Sequence, residues 1–262
     1  MSWDPAQYGR FAAERAQPFH DLLALVERDH PIHRAVDLGC GSGELTALAA
    51  DVLGTEEMVG VDTSPTMLKA TSEHVTAAVR FVDGDIAGWT SAADHDLVLA
   101  SASLQWVADH AGVLARWTAA LAPGGQLAVQ VPANAFMPSH TVADEVAHRP
   151  RYADAFGPDG PPADPVRSNV LEPEAYAQIL FELGYEGQHV RLQVYAHVLD
   201  ESRDVVEWMK GTSLTRFRDR LPADLYDRFL DDYAEALLGA IGDHRPHFFP
   251  FRRILMWGRR PT

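Results

Sequence analysis

The chain has one cysteine, Cys40, among 262 residues, so no internal disulfide can form. It is poor in positive charge, with 22 Lys+Arg against 37 Asp+Glu and a net charge of −15. That deficit argues against sequence-independent nucleic-acid binding, which is driven by neutralising phosphates. No apolar run approaches the roughly 20 residues that a membrane helix needs. The start, Met1-Ser2-Trp3-Asp4-Pro5, has no basic segment followed by an apolar block, so no signal peptide is expected. Together these absences favour the cytoplasm. There is no Gly-x-Ser-x-Gly elbow, internal repeat or low-complexity tract. Among 12 histidines only His244 and His247 have a ligand-like spacing, and without an acid or cysteine at useful distance no metal site is expected.

What is present is an ordinary globular composition, 47% hydrophobic and 23% charged, enough for a sizeable core. The length suits one α/β domain, alone or with a cap. Charge is unevenly spread. Residues 203–260 hold 11 basic and 9 acidic residues, a balance of +2, and the remainder holds 11 and 28, a balance of −17. Either solvated faces differ by chance, or the C-terminal part helps hold an anionic substrate.

Apolar runs alternate with helical patterns over the first half. Strands are expected at 34–38, 58–62, 79–82, 96–101 and 126–131, with helices at 43–53, 64–74 and 109–121. Asp4-Pro5 starts an N-terminal helix that places Tyr8, Phe11 and Arg15 on one face, and a second helix covers 18–27. Ala122-Pro123-Gly124-Gly125 is a turn into the fifth strand. Alternation of this kind implies a parallel sheet with right-handed crossovers. Residues 132–170, with Gly157-Pro158-Asp159-Gly160-Pro161-Pro162, form a loop-rich insertion holding a short helix around 141–148. Further helices are expected at 173–183, 203–211 and 222–240, and strands at 188–198 and 248–258. In the long helix, Leu225, Phe229, Tyr233 and Leu237 form one apolar stripe.

The most informative stretch is Val36-Asp37-Leu38-Gly39-Cys40-Gly41-Ser42-Gly43, followed 19 residues later by Asp62 at the end of Met58-Val59-Gly60-Val61. A strand, a glycine loop, a helix and a second strand ending in an acid make a nucleotide-binding unit. The acid can accept hydrogen bonds from both ribose hydroxyls. A dinucleotide fingerprint needs glycine at its sixth position, where this chain has Glu44, and a negative charge there repels a pyrophosphate from the helix start. The loop therefore suits a ligand with ribose but no phosphate. Here the chain resembles the class I S-adenosylmethionine (SAM) methyltransferases, whose first motif is acid-x-Gly-x-Gly-x-Gly, present from Asp37 to Gly43.

That resemblance implies a Rossmann-like α/β sheet of seven strands with the last antiparallel, helices on both faces, and a helical cap. The cap would be built from about 1–30, 132–170 and 200–248 of a single methyltransferase domain. It also implies SAM as cofactor, held by Asp37, Gly39, Cys40, Gly41, Gly43, Asp62, Thr63, Met67, Asp85, Ile86 and Ser101, with Tyr8 and Arg15 closing over it. Alternatives stay open for several of these. Asp37 is equally a turn-stabilising acid, Asp62 a cap for the helix at Ser64-Pro65, Met67 plain core, and Cys40 a small filler rather than a reactive thiol. Asp83 competes with Asp85 for the adenine amino group.

More narrowly, Trp3-Asp4-Pro5, Asp62-Thr63-Ser64-Pro65, Ala100-Ser101-Ala102-Ser103-Leu104-Gln105-Trp106, Leu127-Ala128-Val129-Gln130-Val131-Pro132 and Phe249-Pro250-Phe251-Arg252-Arg253 resemble the trans-aconitate 2-methyltransferases. This implies methylation of one carboxylate of trans-aconitate or a similar polycarboxylate. A carboxylate is already an anion at neutral pH, so no catalytic base is needed and catalysis is by positioning. Arginine forks suit such a substrate. Candidates for its pocket are Gln105, Trp106, His197, Arg216, Arg252 and Arg253. Adjacent arginines in a strand point to opposite faces, so at most one of Arg252 and Arg253 enters. No nucleic-acid or membrane partner is expected, and a monomer is favoured. Competing readings are methylation of another small acceptor, a SAM-binding protein without catalysis, and a nicotinamide-dependent oxidoreductase.

Overall fold

The computed structural model describes residues 12–262, with side chains from Ala16 onward. Trp3, Asp4, Pro5, Tyr8 and Phe11 lie outside the described residues, as does the side chain of Arg15. Seven strands form one sheet in the order β3-β2-β1-β4-β5-β7-β6. They are β1 (Arg34–Leu38), β2 (Glu57–Asp62), β3 (Val79–Asp83), β4 (His95–Ser101), β5 (Leu121–Pro132), β6 (Gly187–Leu199) and β7 (His247–Arg259). Strands β1 to β5 pair in parallel, and β7 runs antiparallel to β5 with Pro132 opposite Arg253. The order reverses between β1 and β4, so a crevice opens at the carboxyl ends of these two strands.

The expected elements of the first half are present. Glu44–Leu53 forms a helix after β1, Pro65–Ala70 continues as a 3₁₀ turn to His74, and His110–Ala119 precedes β5. Two details differ. The helix expected from Pro18 is Ala12–Leu23, with Pro18 inside it. The turn expected at Ala122–Gly125 lies within β5, where the β4–β5 register shifts between His95 and Leu97.

The chain divides into two compact units. The sheet unit comprises Arg15–Ala133, Asn169–Gln193 and Arg252–Thr262. One face of its sheet packs Val36, Leu38, Val98, Leu127, Val129 and Ile254 against Leu114 and Trp117 of the His110–Ala119 helix and Tyr176 and Leu180 of Pro173–Glu182. Trp117 donates from its indole to the Ile86 carbonyl at 3.0 Å. On the other face Gln126 accepts from the Glu27 amide and the Trp257 indole, both at 2.8 Å, and donates to the Glu27 carbonyl at 2.9 Å.

The second, helical unit includes Asn134–Ser168 and Val194–Phe251. The segment 132–170, expected to be mostly loop, carries the helices Pro138–Ala147, Pro150–Ala153 and Pro165–Asn169. Pro138, Pro150 and Pro165 stand at helix starts, where a missing N–H costs nothing, while the tract Gly157–Pro162 is loop as expected. The stripe on Ala223–Ile241 is buried: Phe229 meets Phe217 at 4.8 Å and Tyr152 at 5.4 Å between ring centroids. The Tyr233 hydroxyl donates to the Ser139 carbonyl at 2.8 Å. Among the described residues, no helix is long and apolar enough to cross a membrane.

Phe229 is fully buried at the centre of this aromatic cluster. Phe229→Ala is therefore expected to destabilise the protein by about 3–5 kcal/mol. Urea denaturation checks this, and a loss below ~1 kcal/mol would contradict a close-packed centre there.

Candidate active site

The crevice of the sheet unit is built by backbone geometry first. Strand β1 ends at Leu38, and the chain turns so sharply that the amides of Gly39 and Cys40 both donate to the Val61 carbonyl on β2, at 2.7 and 3.0 Å. Gly39 has φ +87°, and a Cβ there would lie 2.2 Å from the Ser103 Cβ. Ser103 in turn donates to the Leu38 carbonyl at 2.6 Å, drawing the end of β4 onto the loop. Gly43 is likewise needed for an internal close approach, because a Cβ would sit 2.6 Å from the Phe81 ring. Gly41 is different. Its φ is +56° and nothing lies within 4 Å of where a Cβ would be. Gly39 and Gly43 thus make room for the neighbouring side chains of Ser103 and Phe81, whereas a side chain at Gly41 would meet open space.

Asp62 ties the loop together. Its Oδ2 accepts from the Gly41 amide at 3.0 Å, and its Oδ1 accepts from the Ser64 amide at 2.8 Å. A carboxylate has about four acceptor sites, so two remain for ligand hydroxyls. The helix Pro65–Ala70 is capped by Ser64, whose hydroxyl accepts from the Met67 amide at 3.3 Å, so the Asp62 side chain is not that cap. Met67 is buried and Thr63 is exposed.

Asp37 is 3% exposed. Its Oδ2 accepts a hydrogen bond from Thr46 at 2.5 Å, while its Oδ1 is buried without a partner. Burial lifts its pKa to about 6 against the lowering effect of the Thr46 bond, and the nearby Asp62 charge adds to the rise. A buried, half-satisfied carboxylate next to a ligand loop is what a cationic ligand group would stabilise. Cys40 is buried, and burial followed by the charges of Asp37 and Asp62 pushes its thiol far above the usual range. This is an inert filler, despite its place before a helix.

After β3, Asp85 is exposed and accepts from the Ala87 amide at 2.9 Å, with Ile86 buried behind it. Asp83 is also exposed, opposite Asp62 in the β2–β3 register. At the end of β4, Ala102 is held at φ 55°. That conformation costs a non-glycine residue about 1–3 kcal/mol. Its amide donates to the Gln130 carbonyl at 3.0 Å and its carbonyl accepts from Gln105 Nε2 at 2.6 Å. Gln105 Oε1 is buried without a partner, and Trp106 beside it is half-buried.

The arginines separate. Arg253 is 8% exposed, and its Nη1 donates to Gln130 Oε1 at 3.4 Å. Arg252 is half-buried and takes the opposite face, the one with Ile254 and Met256. Arg216 and His197 lie in the helical unit. Arg216 pairs with Asp144 at 2.5 Å and Asp164 at 3.7 Å, bonds Ser213, and stands 4.4 Å over the Phe217 ring. Its charge is compensated inside that unit, so the geometry supports a structural arginine rather than the expected substrate fork. His197 packs among Tyr195, Trp208 and Phe251. The contacts of Thr46, Ser103 and Gln130 are not among those expected from the sequence. Gln130 carries a signal as a polar residue inside the apolar run Val129-Gln130-Val131, Ser103 stands in the quoted motif Ala100–Trp106 without a contact being implied, and Thr46 carries none.

Comparison with known proteins follows the same lines. A family model described as "Methyltransferase domain" matches residues 35–125. A trans-aconitate 2-methyltransferase of Streptomyces avermitilis is 40% identical, covering 97% of this chain and 95% of that protein. One from Acidovorax sp. (strain JS42) is 39% identical and covers 98% of each chain. Among solved structures, Haemonchus contortus phosphoethanolamine N-methyltransferase 2, in complex with S-adenosyl-L-methionine, superposes with a TM-score of 0.55 at 18% identity over 93% of this chain and 53% of that one. The YcgJ protein from Bacillus subtilis does so with 0.55 at 15% identity, covering 93% and 99%. At these identities the two structures establish the fold.

Asp37 yields a pH prediction. Its folded pKa, about 6, lies above the ordinary 3.8, so the folded state prefers the proton. The resulting penalty is absent below about pH 3.8, grows through the interval to pH 6, and is complete above it, reaching up to ~3 kcal/mol without ligand. Asp37→Asn, which keeps an oxygen for Thr46, is expected to stabilise the ligand-free protein at pH 8 and to lose that advantage as pH falls toward 4. Urea denaturation across this range measures it, and a pH-independent difference counts against the assignment.

Proposed function

Because the chain belongs to the trans-aconitate 2-methyltransferase family, we propose that it transfers the methyl group of SAM to one carboxylate of trans-aconitate or a closely similar polycarboxylate. The products are a monomethyl ester and S-adenosylhomocysteine. The observation that carries the reading is the pairing of Gly41, open where a side chain would stand, with the Asp62 carboxylate that its amide holds at 3.0 Å. A nucleoside can lie against that backbone and give its ribose hydroxyls to Asp62. The exposed Glu44 in the first helical turn disfavours a pyrophosphate and hence a nicotinamide dinucleotide. Asp37, with its unpartnered oxygen, adds negative potential for a ligand that carries cationic groups.

When bound, SAM would supply a sulfonium methyl carbon, to which a carboxylate oxygen would bond as the C–S bond breaks and its electron pair goes to the departing sulfur. No proton moves, so the chain need offer no base. What the residues do is place and shield. Asp62 with the Gly41 backbone fixes the sugar, Ile86 and Met67 offer apolar surface for the base, and Asp85 supplies an acceptor for its amino group. The small residues Ser101 and Ala102 leave room at the end of β4 for the acceptor, while Ser103 holds that end against the glycine loop. Alignment of this kind is worth up to ~7–11 kcal/mol of the barrier.

Two experiments test the proposal. With labelled SAM and a panel of di- and tricarboxylates, phenols and amines, label is expected in the acids as base-labile methyl ester. Labelling of phenols or amines alone refutes the acceptor class, and SAM binding without transfer to any acceptor points to a binding protein without catalysis. Calorimetry is expected to give heat with SAM and none with NADH. Asp62→Ala should weaken SAM binding by about 1.5–3 kcal/mol, the cost of leaving partners of a charged hydrogen bond unmet. Undiminished affinity removes Asp62 from the site.

A further inference from the structure

We propose that Gln105 is a specificity-determining residue for the cofactor: the oxygen of its side-chain amide accepts from the methionine ammonium of SAM. This deepens, and rests on, the SAM reading above, and it assigns Gln105 to the cofactor rather than to the acceptor. The inference starts from an unmet atom in the sheet unit. Gln105 is 5% exposed, and its Oε1 is buried without a hydrogen-bond partner. A buried acceptor left empty costs stability, so one that is kept calls for an explanation. The amide cannot be turned round to relieve it. Its Nε2 donates to the Ala102 carbonyl at 2.6 Å, and an oxygen in that place would face another acceptor. The backbone is pinned as well. In the turn Leu104–Trp106 the Leu104 carbonyl accepts from His110 Nε2 at 2.9 Å, and the Gln105 carbonyl accepts from Asn169 Nδ2 at 2.9 Å. His110 Nδ1 in turn meets the Tyr176 hydroxyl at 2.6 Å, and that hydroxyl accepts from the Leu171 amide at 3.2 Å.

Position decides which end of a ligand this oxygen meets. The Ala102 carbonyl that holds the amide adjoins Ser103, and Ser103 donates to the Leu38 carbonyl and fills the space a Cβ on Gly39 would need. The unmet oxygen, the other atom of the same amide, thus stands on the β4 side of the glycine loop. Asp62 stands on the opposite side, at the end of β2, with β1 and its loop between. A nucleoside that gives its ribose to Asp62 and crosses the loop presents its amino-acid end to β4. The inventory of donors then selects the group. At neutral pH a polycarboxylate has acceptors only, and two acceptors make no hydrogen bond. The ribose hydroxyls of SAM are met by Asp62, and its adenine amino group belongs with Asp85 beyond β3. The ammonium is the donor that remains at the β4 end. Asp37 on β1, with its own unpartnered oxygen, adds charge for it, and Gln105 adds an acceptor whose direction is fixed.

The test compares, by calorimetry, S-adenosylhomocysteine with its desamino analogue, which keeps the nucleoside, the sulfur and the carboxylate and lacks the ammonium. The wild-type protein is expected to bind the first about tenfold or more tighter. In Gln105→Leu that preference is expected to fall about tenfold, through weaker binding of S-adenosylhomocysteine, while affinity for the analogue stays within about twofold. Gln105→Glu, which keeps an oxygen in place and gives it charge, should retain or enlarge the preference, and it carries the test if the leucine variant does not fold. Because both ligands are read on one folded protein, a general loss of stability leaves the ratio unmoved. Equal binding of the two by the wild type, an unchanged preference in Gln105→Leu, or a lost preference in Gln105→Glu overturns the proposal. If the wild-type protein binds neither nucleoside, it is the proposed function that fails.

Discussion

The carboxylate of Asp62 is the tie on which the crevice depends. It binds the Gly41 amide after β1 and the Ser64 amide after β2, so two loops from adjacent strands share one anion. Backbone amides that would otherwise need water or a ligand are met by this side chain. The same residue therefore sets the loop's shape and, in the proposed function, presents the acceptors for the ribose. This explains why an acid at the tip of β2 is so informative: a neutral residue could not satisfy two amides and still bind two hydroxyls.

Around that tie, burial creates opposite electrical demands. Asp37 is buried with one oxygen unmet, and its raised pKa records the strain of holding a charge there. Arg216 shows the other outcome: a buried charge matched by two carboxylates, a serine and an aromatic ring, leaving little to offer a substrate. Arg253 is buried too, and its Nη1 donates to Gln130 Oε1. The outcome at Arg216 is not set by residue type. It comes from which elements bring their side chains alongside, and burying a charge is costly enough that each partner matters.

The parallel strands were legible because buried strands are short apolar runs bounded by turn residues, and β1 runs over Arg34–Leu38 as expected. The stripe Leu225, Phe229, Tyr233, Leu237 was legible because its spacing matches a helical repeat. Within 132–170 the helix near 141–148 and the loop at 157–162 match expectation, but the helices at Pro150 and Pro165 do not, because proline carries two meanings. It breaks a helix interior and favours a helix start, and at Pro138 and Pro150 the second applies. Of the site, Asp62 and the glycine loop were visible from spacing. Ser103 was not, since its contact with Gly39 joins residues 64 positions apart.

The sequence alone determined the strand–loop–helix–strand unit, the acid after it and the mismatch with a dinucleotide, because these are local patterns within about 30 residues, and it carried the family resemblance in short motifs spread along the chain. Tertiary structure alone decided that Gly39 and Gly43 abut Ser103 and Phe81 while Gly41 does not, that Arg216 pairs with Asp144 and Asp164, and that Gln130 bonds both Ser101 and Arg253. Those outcomes depend on strand order and register, which bring together residues far apart in the chain and which no local pattern encodes.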